Sequence, residues 1–276
     1  MLVVRISSGM GNQLFQYTFA HYLKQRYQRP VFLDTSPFTY RLPDRTYHLD
    51  IINTLPKTKD WRLYNQYPRG LYRLAKGLFA INPTTRHILD TEPVFPPDDK
   101  LLYFDGYWQT DRYVSQLPDV HALLTPQEAP PASIARWQAL MADTQAISLH
   151  IRRGDYFSEP YKERYGVCDT AYYEAAIERM MVGKENATVF VFSDEPDWVR
   201  ENLRLPQNVH VIDNEPINPL WYILLMAQCK DNILSNSTFS WWGAYLNRNL
   251  DKRVIAPKRW MLDSEATLAM SSWELL

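Results

Sequence analysis

Cysteine is nearly absent, and the two present, Cys168 and Cys229, supply neither a disulfide framework nor a zinc site of the common spacings. Both are expected to be reduced core residues. A basic surplus is also missing: the formal charge of −1 argues against a duplex-binding protein, which needs cations to neutralise phosphates, so no nucleic-acid partner is expected. No run approaches 18 consecutive apolar residues, and Leu2 to Ile6 at the start reads as a strand with no basic leader, so a cytoplasmic protein is expected. The triplets Asn186-Ala187-Thr188 and Asn236-Ser237-Thr238 are discounted as glycosylation signals on the same ground. An Asp-x-Asp pair following an apolar strand, a common holder of a divalent ion, is lacking, and no metal and no cofactor are expected. No internal repeat or low-complexity tract is visible.

What is present is ordinary apolar content, 46%, in a chain of 276 residues, enough for one large domain or two compact ones. Aromatics reach 14%, with 18 tyrosines and 9 tryptophans; ring faces suit sugars, though any single ring more often fills a core. The first 34 residues read as strand, glycine turn, helix (Asn12 to Tyr27) and strand, a βαβ opening. Residues 35 to 130, rich in proline and aromatics, yield no topology. From Ala146 regular alternation returns: strands at Ala146 to Ile151, Ala187 to Phe192, Val209 to Ile212, Asn232 to Leu234 and Arg253 to Ala256. Helices are expected between them, at Ala171 to Val182, Asp194 to Asn202, Asn218 to Gln228 and Ser240 to Asn247. The fold class is α/β, with a boundary at Pro130-Pro131: residues 1–131 form an N-terminal βα domain and 132–276 a C-terminal Rossmann-type domain.

Three polar segments fall at strand carboxyl ends, where α/β proteins collect ligands. In His150-Ile151-Arg152-Arg153-Gly154-Asp155, strand alternation puts His150 and Arg152 on one face and Arg153 on the other, unless the turn starts early. Arg152 is the candidate phosphate clamp; an internal salt bridge is an even alternative. In Ser235-Asn236-Ser237-Thr238-Phe239-Ser240-Trp241-Trp242-Gly243 a helix start offers N–H groups to an anion, or simply a cap at Ser237 or Thr238. In Phe192-Ser193-Asp194-Glu195, Asp194 either accepts from a guanine edge or ribose hydroxyl, or caps a helix. Gly9-Met10-Gly11-Asn12-Gln13 offers close backbone approach and amides, but fails as a dinucleotide fingerprint because Leu14 stands where a third glycine belongs.

Together, Gly9 to Tyr17, His150 to Tyr156, Phe192 to Glu195 and Ser235 to Gly243 resemble the bacterial α-1,2-fucosyltransferases, the inverting glycosyltransferase family 11; Gly106-Tyr107-Trp108-Gln109 fits the family's middle region. The resemblance implies a GT-B-like pair of Rossmann-type parallel-sheet domains facing a cleft. It also implies GDP-β-L-fucose as donor, no metal, and transfer to the 2-hydroxyl of a terminal galactose on an oligosaccharide or lipid-linked glycan, as in O-antigen biosynthesis. By the same resemblance Arg152 binds the β-phosphate and His150 lies near the guanosine. Arg153, Ser193, Asp194, Asn236, Ser237, Thr238, Phe239 and Ser240 would line the donor site, with Gly11, Asn12 and Gln13 facing donor or acceptor and Tyr107, Trp108 and Gln109 on the acceptor side. Asp155 is the first candidate for catalytic base and Glu159 the second; Asp155 serving only to orient an arginine is nearly as strong a reading. A fucosyltransferase of other linkage, another GDP-sugar transferase, and a non-catalytic carbohydrate-binding protein are the competing readings.

Between Lys57 and Arg86 stand seven basic residues (Lys57, Lys59, Arg62, Arg69, Arg73, Lys76, Arg86) against one acid, Asp60, interleaved with Trp61, Tyr64, Tyr67, Tyr72 and Phe79. This mixture suits peripheral contact with the inner face of an anionic membrane, or a lipid diphosphate; a solvated helical face is the plainer alternative.

Overall fold

The structure is a computed structural model that describes the chain except residues 41, 43, 44, 53, 61, 92–99, 158, 160, 161, 166, 167 and 185. Prolines 43, 93, 96 and 97 and Trp61 of the sequence reading lie outside the described residues. Two compact units are present, Met1–Glu128 and Ala129–Leu276, so the division falls just before the Pro130-Pro131 boundary.

The N-terminal unit is built on four parallel strands, β1 (Leu2–Arg5), β2 (Val31–Asp34), β3 (Thr85–Leu89) and β4 (Leu101–Asp105), in the order β2-β1-β4-β3. Its helices are α1 (Met10–Tyr27), α2 (Ser36–Tyr40), α3 (Arg69–Ile81), α4 (Asp111–Val114) and α5 (Val120–Leu123). Strand periodicity sorts the core into two faces. Tyr103 packs with Tyr64 and Phe79 on one side, and its neighbour Phe104 meets Phe19 of α1 on the other. Helix α1 starts two residues earlier than Asn12, because Gly9 in an extended conformation serves as its cap and its carbonyl accepts from Asn12 and Gln13. The helix ends where Gln28 turns left-handed and returns its N–H to Lys24.

The C-terminal unit carries six parallel strands: β5 (Gln145–Ile151), β6 (Ala187–Ser193), β7 (Val209–Ile212), β8 (Asp231–Ile233), β9 (Val254–Ala256) and β10 (Glu274–Leu275), ordered β10-β9-β8-β5-β6-β7. Around them lie α6 (Ala132–Ala142), α7 (Lys162–Tyr165), α8 (Thr170–Met181), α9 (Pro196–Asn202), α10 (Leu220–Gln228) and α11 (Thr238–Tyr245). One sheet face buries Ile147, Leu149, Ile151, Val189 and Val191 against Tyr173, Ala176, Ile177 and Met180 of α8 and Val199 of α9. The alternate residue Phe190 meets Trp137 of α6 on the opposite face. Both faces are covered, which is why these strands read as continuous apolar runs. Chain order reverses at β5: β6 and β7 extend to one side, and the chain then crosses back to lay β8, β9 and β10 on the other. The crevice at the carboxyl ends of β5 and β8 is therefore the switch point where doubly wound sheets bind ligands.

Helices α10 and α11 meet through Gly243. A β-carbon there would lie 2.8 Å from Met226 Cβ, an atom fixed to the α10 backbone. Gly243→Ala is expected to cost about 1–3 kcal/mol, the usual penalty of overpacking, read as a lowered denaturant midpoint with unchanged slope.

Candidate functional site

Strand β5 ends at Ile151, so the turn starts early and both arginines belong to it rather than to opposite strand faces. His150, the last residue of β5 on the α11 side, is buried; its Nδ1 lies 2.8 Å from Ser235 Oγ and its ring stacks on Phe239. This ring thus ties the end of β5 to the loop leaving β8, across the switch point. Burial, reinforced by the Arg152 charge, pushes its pKa down to about 3, so the imidazole is neutral across the physiological range.

Arg152 Nη1 meets Asp194 Oδ2 at 3.1 Å, with the guanidinium still 27% exposed. Its face also lies over Tyr156, 5.6 Å from the ring. Asp194 Oδ1 accepts the Arg153 backbone N–H at 3.0 Å, so one carboxylate fixes both the turn and the clamp. That approach requires glycine at position 154, where a β-carbon would lie 2.5 Å from Asp194 Oδ2. Arg153 bonds Glu195 at 3.0 Å and stacks at 3.5 Å on Trp198. The salt-bridge alternative is what this turn displays, with partners more distant in sequence than a local aspartate: Arg152 pairs with Asp194 and Arg153 with Glu195.

Ser237 caps α11 by accepting from the Phe239 N–H, placing the helix start at Thr238 rather than Ser240. Ser240 Oγ donates back to the carbonyls of Ser235 and Ser237. Asn236 donates to the carbonyls of Tyr165 and Trp260 and is buried. Asn236 and Ser240 therefore set the shape of the loop instead of presenting their side chains outward. Ser193 is buried and accepts from the Glu195 N–H. The backbone of Asp155 lies in the 3-10 turn Gly154–Phe157, and its side chain is outside the described ones; Glu159 is exposed in the following turn.

In the N-terminal unit two of the candidate side chains are buried. Gln13 is a buried brace: it donates to the carbonyls of Ser8 and Thr46 and accepts from His48 N–H. Trp108 is a core residue, stacked on Phe19 with ring centroids 4.0 Å apart and only 2% exposed. Gly11 is buried in the first turn of α1. Asn12 accepts from Gln109 at 2.7 Å, and the half-exposed Tyr107 places its hydroxyl 3.1 Å from Ser8 Oγ. Sequence reasoning missed the cluster at this sheet's carboxyl end: Arg5 pairs with Asp105 at 2.5 Å, and Asp105 also accepts from Tyr64 and meets His87 at 3.2 Å. Burial opposes ionisation of Asp105, but His87 and Arg5 together hold it below the usual carboxylate range. Among the described residues, no three His, Cys, Asp or Glu side chains gather as a metal site would require.

Two parallel-sheet α/β units, each with polar residues at its strand carboxyl ends, are the architecture of a GT-B-like fold. The same fold is found in the crystal structure of NodZ alpha-1,6-fucosyltransferase soaked with GDP-fucose, at TM-score 0.50 and 15% identity over 89% of this chain and 91% of that one. The sequence profile of Glycosyl transferase family 11 matches residues 91–271, and the chain belongs to that family. It is 29% identical to the O-antigen biosynthesis glycosyltransferase WbnK of Escherichia coli, over 97% of this chain and 98% of that protein. It is 28% identical to an alpha-1,2-colitosyltransferase of the same species, over 94% and 92%. A shorter match, 30% identity over 36% of this chain and 28% of the relative, joins it to human galactoside alpha-(1,2)-fucosyltransferase 1.

The buried neutral His150 has a consequence for stability. In the unfolded chain the imidazole takes a proton below its ordinary 6.5, whereas in the folded chain it does so only near 3. Between those values the unfolded state binds more protons, so stability falls as pH is lowered through this window. The slope contributed is up to about 1.4 kcal/mol per pH unit. His150→Asn should flatten the pH dependence of the denaturant midpoint in that window; an unchanged slope would show that the folded ring is already protonated there.

Proposed function

We propose that the chain transfers L-fucose from GDP-β-L-fucose to the 2-hydroxyl of a terminal galactose, with inversion, and without a metal ion or cofactor. The observation that carries this reading is Arg152, held by Asp194 beside the capped start of α11 at the switch point of the C-terminal sheet. A family 11 chain needs a cation that meets charge growing on a departing diphosphate, and a guanidinium presented at a strand end with helix N–H groups nearby is suited to that task. On this reading the C-terminal unit is the donor side. Asp194 positions Arg152, and Arg153, tied to Glu195 and Trp198, stiffens the turn. The acceptor hydroxyl forms a bond to the anomeric carbon as the bond to the β-phosphate oxygen breaks, and GDP leaves with the electron pair. Asp155, then Glu159, are the candidates to take the hydroxyl proton. The N-terminal unit, through Tyr107 and the Asn12–Gln109 pair, is the candidate acceptor side.

A second reading, a colitosyl rather than a fucosyl donor, is supported by the colitosyltransferase relative that spans nearly the whole chain.

Incubation with GDP-fucose and lactose in the presence of EDTA tests these points together. Wild type should give a 2-linked product, and Arg152→Ala should lower turnover by roughly two to three orders of magnitude. Full activity in Arg152→Ala would remove the clamp from the mechanism, loss of activity with EDTA would restore a metal, and turnover of GDP-colitose alone would select the second reading.

A further inference from the structure

Helix α3 carries two apolar faces, and only one is used. Tyr72, Ala75 and Phe79 pack on the N-terminal core with Leu63, Tyr64 and Tyr103. Leu71, Leu74, Leu78 and Ile81 point outward at 55%, 65%, 57% and 76% exposure. At the helical repeat of ~100° per residue these four fall within about 80° of arc, so they form one continuous stripe rather than scattered surface leucines. Arg73 and Lys76 are also exposed on this helix, Lys76 with its ammonium 5.9 Å from the Tyr64 ring, and Lys59 is exposed upstream. Helix α3 contains no acidic residue, and Asp60, the one acid from 57 to 86, is held by Arg62 at 2.5 Å.

We propose that α3 is a docking helix for an anionic lipid bilayer, lying in the plane of the interface with the leucine stripe among the acyl chains and the basic residues at the headgroups. Three observations select this occupant. The helix has 13 residues, too few to span a bilayer, which takes about 20, and among the described residues no helix is long and apolar enough to do so. The charge on this segment is of one sign: Arg73, Lys76 and Lys59 are exposed and α3 carries no acid, which an anionic surface matches. The four side chains also offer well under the ~800 Å² per partner of a standard protein interface. A bilayer bearing negative headgroups satisfies both the apolar stripe and the uncompensated charge.

The test is co-sedimentation of the full chain with vesicles of phosphatidylcholine, alone or mixed with phosphatidylglycerol, at low and high salt; it needs neither donor nor acceptor and so stands apart from the assigned activity. Wild type should bind the phosphatidylglycerol vesicles at least about tenfold better than the neutral ones, and less at high salt. Leu74→Ser with Leu78→Ser should lower binding to both kinds of vesicle, whereas Arg73→Glu with Lys76→Glu should remove the preference for the anionic one. Because all four positions are exposed, the variants should keep the wild-type unfolding midpoint. Absence of vesicle binding by wild type, or equal binding by the serine variant, overturns the proposal. So does a dimer in sedimentation velocity that the serine variant dissolves while vesicles bind nothing.

Discussion

Everything proposed for the C-terminal unit depends on the reversal of strand order at β5 and on the buried imidazole that spans it. Neighbouring strands β5 and β8 are held in parallel register from Ile147 opposite Asp231 to Leu149 opposite Ile233, but beyond that register their chains part towards different helices. His150 closes the gap with one hydrogen bond to Ser235 and one ring stack on Phe239. A neutral ring can do this in a buried position, whereas an imidazolium there would bear a large desolvation cost beside Arg152. The low pKa is thus a consequence of using histidine as a spacer between the chains that leave β5 and β8.

The geometry around Arg152 follows from that spacer by short steps. With β5 anchored, the turn can begin at Arg152, and Asp194 at the end of β6 lies close enough to bond both a guanidinium and a backbone N–H of the same turn. Gly154 makes room for that carboxylate. Below these, Asn232 donates to Ser148 and to the Met226 carbonyl, while Asn247 donates to Asn232 and to the Cys229 carbonyl. This satisfied polar chain joins β5, β8, α10 and the end of α11 inside the unit. On the proposed reading, these buried hydrogen bonds would hold the backbone of the site in place as it meets a leaving diphosphate.

The C-terminal unit was largely legible in the sequence because its strands are buried on both faces and its helices sit between them at regular intervals. Its boundaries shifted by one or two residues, at α11 because the Ser237 cap decides where the helix starts. The two-residue β10 is too short to carry a periodic signal, and α6 buries only Ile134 and Met141, too few positions to mark a helical face. Residues 35 to 130 stayed opaque because their core is aromatic and polar at once. Tyr103, for instance, buries its ring between Tyr64 and Phe79 while its hydroxyl donates to Asp34, and β4 inserts between β1 and β3 from far along the chain. Trp108 was placed on the acceptor side by the family resemblance alone, and nothing local in Gly106-Tyr107-Trp108-Gln109 shows that its ring stacks on Phe19, far earlier in the chain. The ionic pairing of Arg152 was foreseen as an alternative, but its partner was not, since nothing local links position 152 to 194.

Charge separates the two sheets as hosts for a nucleotide. At the carboxyl end of the N-terminal sheet, Arg5 faces Asp105, and the buried Asp34 lies at the end of the adjacent strand, two carboxyl groups for one guanidinium. Asp34 is committed to Ser36, Gln66 and Tyr103, and its burial raises its pKa. Arg5 is therefore matched by Asp105, and Asp34 is enclosed by its hydrogen bonds rather than presented at the surface. At the C-terminal sheet the carboxylates Asp194 and Glu195 are each matched by an arginine, and the positive end of the α11 dipole adds to the balance. On the proposed reading, an incoming diphosphate would take over a share of the Arg152 hydrogen bonds while Asp194 keeps its bond to the Arg153 N–H, so the clamp would change partner without the turn coming apart.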